Sequence, residues 1–191
     1  MNLFSKIRDA ILRRISKNIH PTMILGYKQN SEYLDDVRIS NTTVINAREN
    51  LKIANHVFIG HYNFIEASNG IIIEEGCQIS NFVSITTHSS HISIRLYGAD
   101  YTKYKNLYGY VTGPIHIGKY TFIGPHSVIM PNTTIGKGSI VTAFAYVEGE
   151  FPDFSIISGN PAKIIGDTRQ IDKIFLENYP ELQILYDQWA R

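Results

Sequence analysis

The chain has 191 residues, 43% of them hydrophobic, with 18 Lys and Arg against 17 Asp and Glu for a formal net charge of +1. That balance supports one compact domain with terminal additions and excludes a disordered chain, and it offers no field for nucleic acid. One cysteine, Cys77, forbids an internal disulfide, no Cys or His cluster has zinc spacing, and no apolar run reaches about 18 residues, so no metal and a cytoplasmic location are expected.

Residues 1–30 open on a predicted amphipathic helix. Leu3, Phe4, Ile7, Ile11, Leu12, Ile15 and Ile19 recur at helical spacing, and Lys6, Arg8, Arg13, Arg14 and Lys17 decorate the remainder. Such a helix suits two uses: capping a solenoid end or packing on another subunit, or peripheral contact with an anionic membrane.

Residues 31–167 carry a six-residue rhythm. Ile39, Ile45 and Leu51 form a weak first turn; Ile53, Ile59 and Ile65 follow in phase, with Val57 and Asn63 at the fifth position of their hexads. Two extra residues shift the frame. Ile73, Ile79 and Ile85 then resume it with Cys77 and Val83. After an interruption come Ile117, Ile123, Ile129, Ile135, Val141 and Val147, with Thr121, Ser127, Thr133, Ser139 and Ala145 as small fifth residues. Three short strands of one hexad each close a triangular coil of about eighteen residues. One aliphatic side chain per strand fills the interior, and Gly118, Gly124 and Gly136 relieve crowding after it. Helical spacings of three and four are missing here, as are hairpin turn signals every eight to twelve residues. The expected fold class is all-β: a parallel β-helix whose hand the period alone does not determine.

The rhythm breaks over residues 86–114, TTHSSHISIRLYGADYTKYKNLYGYVTGP, a stretch with two histidines and five tyrosines. A long excursion inside a compact domain is usually functional, and tyrosines suit a binding surface. His88 stands at a strand end just after Ile85, Thr86 and Thr87, a rigid mount for a group that titrates near neutrality. The other histidines, His20, His56, His61, His116 and His126, read as corner or surface residues, His126 being the one beside a possible binding channel. Residues 168–191 are predicted helical, with Ile171, Ile174, Phe175, Leu182, Leu185, Tyr186 and Trp189 on one face and a break at Pro180, as a packed C-terminal cap.

From residue 37 to 168 the pattern resembles the hexapeptide-repeat acyltransferases, whose prism winds left-handed. The segment from Gly113 through IHIGKYTFIGPHSVIMPNTTIGKGSIV to the closing Gly-Asn-Pro-Ala-Lys carries the likeness most specifically. The resemblance implies transfer of an acetyl group from acetyl-coenzyme A to a sugar hydroxyl or a polysaccharide precursor, in a homotrimer. Galactoside, maltose and xenobiotic acetyltransferases carry their catalytic histidine where His88 stands, and a second histidine, here His91, follows in several relatives. Asn63 matches an acceptor-contacting asparagine, and Glu66 lies near a family carboxylate, although the alignment slips by a residue. For the coenzyme, Gly124 and Ala143 match pantetheine contacts, and Phe122 stands where tryptophan is frequent. Lys163 matches a phosphate-binding base; the second such base falls on Gly166, leaving Arg169 as a substitute. N-acetylation of an amino-sugar nucleotide, or a non-catalytic β-helix scaffold, are the competing readings.

Overall fold

The computed structural model describes Ile7, Ile11 and residues 20–191. Within them the hexads coil into a three-sided parallel prism. The first face stacks strands Phe58–Ile59, Gln78–Ile79, Phe122–Ile123 and Ile140–Val141; the second stacks Val44–Asn46, Phe64–Glu66, Ser84–Thr86, Val128–Ile129 and Tyr146–Val147. The third runs from Leu51–Ile53 through Ile71–Ile73, Ile115–Ile117 and Thr133–Ile135 to Glu150–Phe151. The phase residues meet in register, Ile59 on Ile79, Ile65 on Ile85 and Ile73 on Ile117, and all six are buried. Their stacking forms one continuous apolar column, the main driving force for the fold. The small fifth residues sit inside the corners: Thr121, Ser127, Thr133 and Ser139 are buried, and their hydroxyls hydrogen-bond backbone carbonyls, one coil on for Thr121, Ser127 and Ser139 and within its own corner for Thr133. A Cβ on Gly118 would stand 2.6 Å from the Lys137 nitrogen, and one on Gly136 2.3 Å from that of Asp153, so these glycines permit the close coil spacing.

Coil length is not uniform. Ile45 pairs with Ile65 and Ile65 with Ile85, twenty residues per coil, whereas Ile117 pairs with Ile135 at eighteen. The added residues lie at the corner from the second to the third face, at Ala67–Gly70.

Three features depart from the sequence reading. The expected helix over 1–30 cannot run its full length, because Met23–Gln29 is a strand, β1, antiparallel to Glu32–Ser40, β2, whose far end is the first strand of the first face. Tyr27 of β1 is buried against Leu34 and Val37 of β2, and that burial outweighs helical spacing here. Most of the helix assigned to residues 3–19 lies outside the described residues; its described members Ile7 and Ile11 are helical and exposed. Second, the chain leaves the β-helix pattern at Ala162–Asp167, which folds back antiparallel on Ser155–Gly159.

Third, the C-terminal segment lies along a corner. It begins as α2, Thr168–Asn178, is broken by a 3-10 turn at Pro180–Leu182, and ends in α3, Gln183–Ala190. Trp189 packs on Tyr120 and Phe154, residues two coils apart at the third-to-first corner, with ring centroids 4.7 and 5.9 Å away. Lys137 between them donates from Nζ to the carbonyls of Trp189 and Ala190, each at 3.2 Å. Gly138 leaves room for Trp189, which a Cβ would approach to 3.0 Å. Of the predicted apolar face, Tyr186 and Trp189 are half-buried, while Ile174, Phe175 and Leu185 are exposed.

Candidate active site

The long corner of the second and third coils holds the main polar cluster. Glu66 ends its strand directly beneath Thr86, and His88 follows one residue past the buried Thr87. Glu66 Oε2 meets His88 Nδ1 at 2.8 Å. The carboxylate is only 5% exposed, and its other partners are all donors. Oε1 accepts the Ser68 amide at 2.9 Å and the Ser68 hydroxyl; Oε2 accepts the Thr87 hydroxyl at 2.8 Å. Burial by itself would raise the Glu66 pKa. The hydrogen bonds from Ser68 and Thr87, with His88 adding its charge, outweigh burial and hold it at about 2. An ionised carboxylate can only accept, so Nδ1 of a neutral His88 carries the proton and Nε2 presents the lone pair.

The excursion forms the wall beside this imidazole. His88–Ser89 pairs antiparallel with Val111–Thr112, closing the base of the excursion. Tyr110 stacks on the His88 ring, centroids 5.7 Å apart and planes 19° apart. Helix α1, Ser93–Tyr97, and a 3-10 turn over Gly98–Lys103 form the body of the excursion, with Tyr97 packed on Tyr104. His91 is exposed, its Nδ1 2.8 Å from the Ser89 hydroxyl, and it does not reach the Glu66–His88 pair. The expected acceptor residue Asn63 is instead a tie between coils. It is 2% exposed, donates from Nδ2 to the Gly60 and Ser80 carbonyls at 3.1 and 2.8 Å, and accepts the Val83 amide at 2.7 Å.

The residues assigned to the coenzyme gather elsewhere, on the first face and its corner with the second. Phe122 is exposed on the face; Gly124 is buried, where a Cβ would stand 2.7 Å from the Ala143 nitrogen; Ala143 is exposed one coil on. Lys163 is exposed opposite Ser158 in the terminal hairpin and makes no ion pair among the described residues. Arg169 is committed to Asp167 in a two-pronged pair, with Nη2 2.5 Å from Oδ2, and lies over the Phe154 ring at 4.9 Å. Strand Ser84–Thr86 separates that corner from His88, roughly 15 Å of extended chain. One chain therefore does not bring the two groups together.

Sequence reasoning missed the holders of Glu66. Ser68 lies in the two-residue frame shift and Thr87 immediately precedes His88, so both carried a positional signal. It also missed a column at the first-to-second corner, where Tyr62, Phe82, His126 and Phe144 stack at 5.1, 4.9 and 4.8 Å with nearly parallel rings. All four have a left-handed backbone, φ near 60°. His126 is thus a corner residue. His116 is tied to Glu74 at 2.9 Å on the third face, and no group of three or more metal-ligating side chains occurs among the described residues. Cys77 is buried with its thiol pushed up to about 12, chiefly by burial, and is no nucleophile.

Residues 114–149 match the family described as bacterial transferase hexapeptide, six repeats. Those residues thus carry a repeat like that of the bacterial hexapeptide transferases. A protein named as an acetyltransferase in Staphylococcus aureus (strain COL) is 43% identical over 60 residues, 31% of this chain and 29% of that one. The chain thus spans under a third of that relative's length. The dTDP-4-amino-4,6-dideoxy-D-glucose acyltransferase of Escherichia coli is 26% identical over 141 residues, covering 70% of this chain and 69% of that protein. Among solved structures, galactoside acetyltransferase in complex with coenzyme A superposes with a TM-score of 0.55 at 22% identity, over 69% of this chain and 65% of that one. That likeness concerns the fold and implies the left-handed winding of the hexapeptide-repeat prism, an exception to the usual right-handed crossover.

Proposed function

We propose that this protein transfers an acetyl group from acetyl-coenzyme A to a hydroxyl of a sugar or polysaccharide precursor, with His88 as general base. The observation that carries the reading is the Glu66–His88 pair beneath the tyrosine-rich excursion: an ionised, fully hydrogen-bonded carboxylate that orients one nitrogen and frees the other. His88 Nε2 takes the proton of the acceptor hydroxyl as its oxygen attacks the thioester carbonyl. The carbon–sulfur bond then breaks, the coenzyme leaves as a thiolate, and the imidazolium returns the proton to it. Glu66 stabilises the imidazolium formed between these steps.

The coenzyme fits the other corner. Phe122 supplies an apolar wall, the side-chain-free surface at Gly124 and the small Ala143 allow a pantetheine arm to approach backbone, and Lys163 offers a free cation to phosphate. Because this corner and His88 are a strand apart, the reading joins the site across a homotrimer in which one subunit's donor corner faces the next subunit's His88. The Escherichia coli relative, matched over two thirds of both chains, favours a second acceptor, the amine of an amino-sugar nucleotide.

The test is coenzyme A release from acetyl-coenzyme A against a panel of sugars and amino-sugar nucleotides, with His88→Ala alongside. The variant should lose at least about a hundredfold in turnover with little change in acetyl-coenzyme A affinity. Turnover close to wild type would remove the base. Light scattering that gives a monomeric mass for active protein would remove the shared site.

A further inference from the structure

We propose that Tyr110 is a positioning residue for His88: its ring face holds the imidazole in the orientation that Glu66 sets and stabilises the imidazolium once a proton arrives. This role presupposes the transferase reading, with His88 as general base. Strand register brings the two rings together. Across the base of the excursion His88 pairs with Thr112 and Ser89 with Val111. Tyr110 lies two residues before Thr112, so on an antiparallel ribbon it is the diagonal neighbour of His88 on the same side, a gap that an aromatic side chain spans. The rings accordingly stack, with centroids 5.7 Å apart and planes 19° apart.

Tyr110 is anchored from its own side. Its amide donates to the Leu107 carbonyl at 3.3 Å. Gly109 has a left-handed backbone, φ +78°, and packs so closely on the start of α1 that a Cβ there would stand 2.6 Å from Ile92 Cγ2. The buried Ser93 ties α1 in turn to the Ser90 carbonyl at 3.1 Å. The two limbs of the excursion therefore grip each other just beyond the stacked pair.

The imidazole is thus bounded twice. Glu66 takes its Nδ1 edge at 2.8 Å and Tyr110 takes one face, which leaves Nε2 to the acceptor. An aromatic face is electron-rich. It attracts a neutral imidazole weakly and a cation within about 6 Å more strongly, so the contact strengthens as the proton is transferred. The phenol does not compete for that proton. Burial, then the neighbouring Tyr101 and Glu66, push it above its ordinary value, so the ring stays neutral. His88 and Tyr110 are 37% and 36% exposed, which places the effect toward the lower end of the range for such contacts.

The test compares Tyr110→Leu, Tyr110→Phe and Phe fluorinated along its outer ring edge at position 110, a substitution that keeps the shape and withdraws electrons from the face. With acetyl-coenzyme A and the best acceptor of the panel above, Tyr110→Leu should lower turnover by about threefold to tenfold with an unchanged Michaelis constant for acetyl-coenzyme A. Tyr110→Phe should restore turnover to within about twofold of wild type, and the fluorinated ring should lower it again by about twofold to fivefold. In histidine-labelled protein, the His88 ring-proton resonance, assigned by its loss in His88→Ala, should move downfield in Tyr110→Leu and hold its place in Tyr110→Phe. Equal turnover with Leu and Phe overturns the proposal, as does equal turnover with plain and fluorinated Phe or a His88 resonance that ignores Tyr110→Leu. The fluorinated pair decides the matter even where Tyr110→Leu fails to fold. Failure of the transferase reading has a different signature: wild type releases no coenzyme A with any acceptor, or His88→Ala keeps its turnover, while the resonance still responds to Tyr110→Leu. That result removes the catalytic role of Tyr110 together with that of His88.

Discussion

Glu66 and His88 are twenty-two residues apart in sequence and 2.8 Å apart in space, joined by the step from one coil to the next. Coil length makes that contact. In a twenty-residue coil Glu66 lies beside Thr86, one corner residue before His88. The two residues that lengthen the corner also bring Ser68 to the same carboxylate.

On the proposed mechanism Glu66 acts through His88, as a positioning residue. Glu66→Gln should lower turnover by about tenfold to a hundredfold and leave the Michaelis constant for acetyl-coenzyme A unchanged; the double variant with His88→Ala should be no slower than His88→Ala alone. Steady-state kinetics on the four proteins checks this. Additive losses would separate the two roles. The pair also has a stability signature. The folded carboxyl sits near 2 against an ordinary 4.5, so its contribution is complete above about pH 4.5 and is lost as pH falls toward 2. That contribution is on the order of 3 kcal/mol, and the urea midpoints of wild type and Glu66→Gln should converge as pH is lowered through this window.

Gly136→Ala tests coil stacking. A methyl there meets the Asp153 nitrogen at 2.3 Å, a backbone atom that cannot swing aside. The substitution should cost about 1 to 3 kcal/mol in urea unfolding. Gly70→Ala is a different case: nothing lies within 4 Å of its Cβ position, and only its φ of +92° opposes the change. A Gly136→Ala protein as stable as wild type would mean that the last coils separate freely.

Lys163→Ala addresses the donor. The lysine is exposed and free of ion pairs among the described residues, so its loss should raise the Michaelis constant for acetyl-coenzyme A several-fold and leave turnover nearly unchanged. The comparison that decides is coenzyme A with and without its 3′-phosphate. Equal weakening of both would show that Lys163 does not read that phosphate.

The prism was legible because each strand spends one aliphatic residue on the interior at a fixed period: Ile117, Ile123 and Ile129 announce three faces in succession. His88 was legible as the polar residue where that rhythm stops. Glu66 was named by resemblance alone, but its pairing with His88 was not legible, since that depends on stacking register, which the frame shift after Ile65 obscured. Asn63 shows the converse. An amide at a small corner position resembles an acceptor contact in sequence, and only its three hydrogen bonds within the coils show that it is already spent. β1 was hidden because Ile24, Leu25 and Tyr27 continue an apolar run that helical spacing also accommodates; the antiparallel partner that decides between them lies beyond Asn30, whose left-handed φ of 54° makes the turn. The corner aromatics Tyr62, Phe82, His126 and Phe144 read as scattered surface residues until the coils bring them into line.

The two coil lengths divide the molecule into parts that can be altered separately. The twenty-residue turns carry the Glu66–His88 pair, while the eighteen-residue turns from Ile117 to Val147 carry Phe122, Gly124 and Ala143 on the first face and its corner. Each turn touches only its neighbours. Duplicating an eighteen-residue turn would therefore lengthen that face by one strand spacing, about 4.8 Å, without moving Glu66 or His88. The extent of the proposed donor corner and the geometry of the Glu66–His88 pair are independent quantities in this architecture, set by how many turns are stacked and by the length of a single bend.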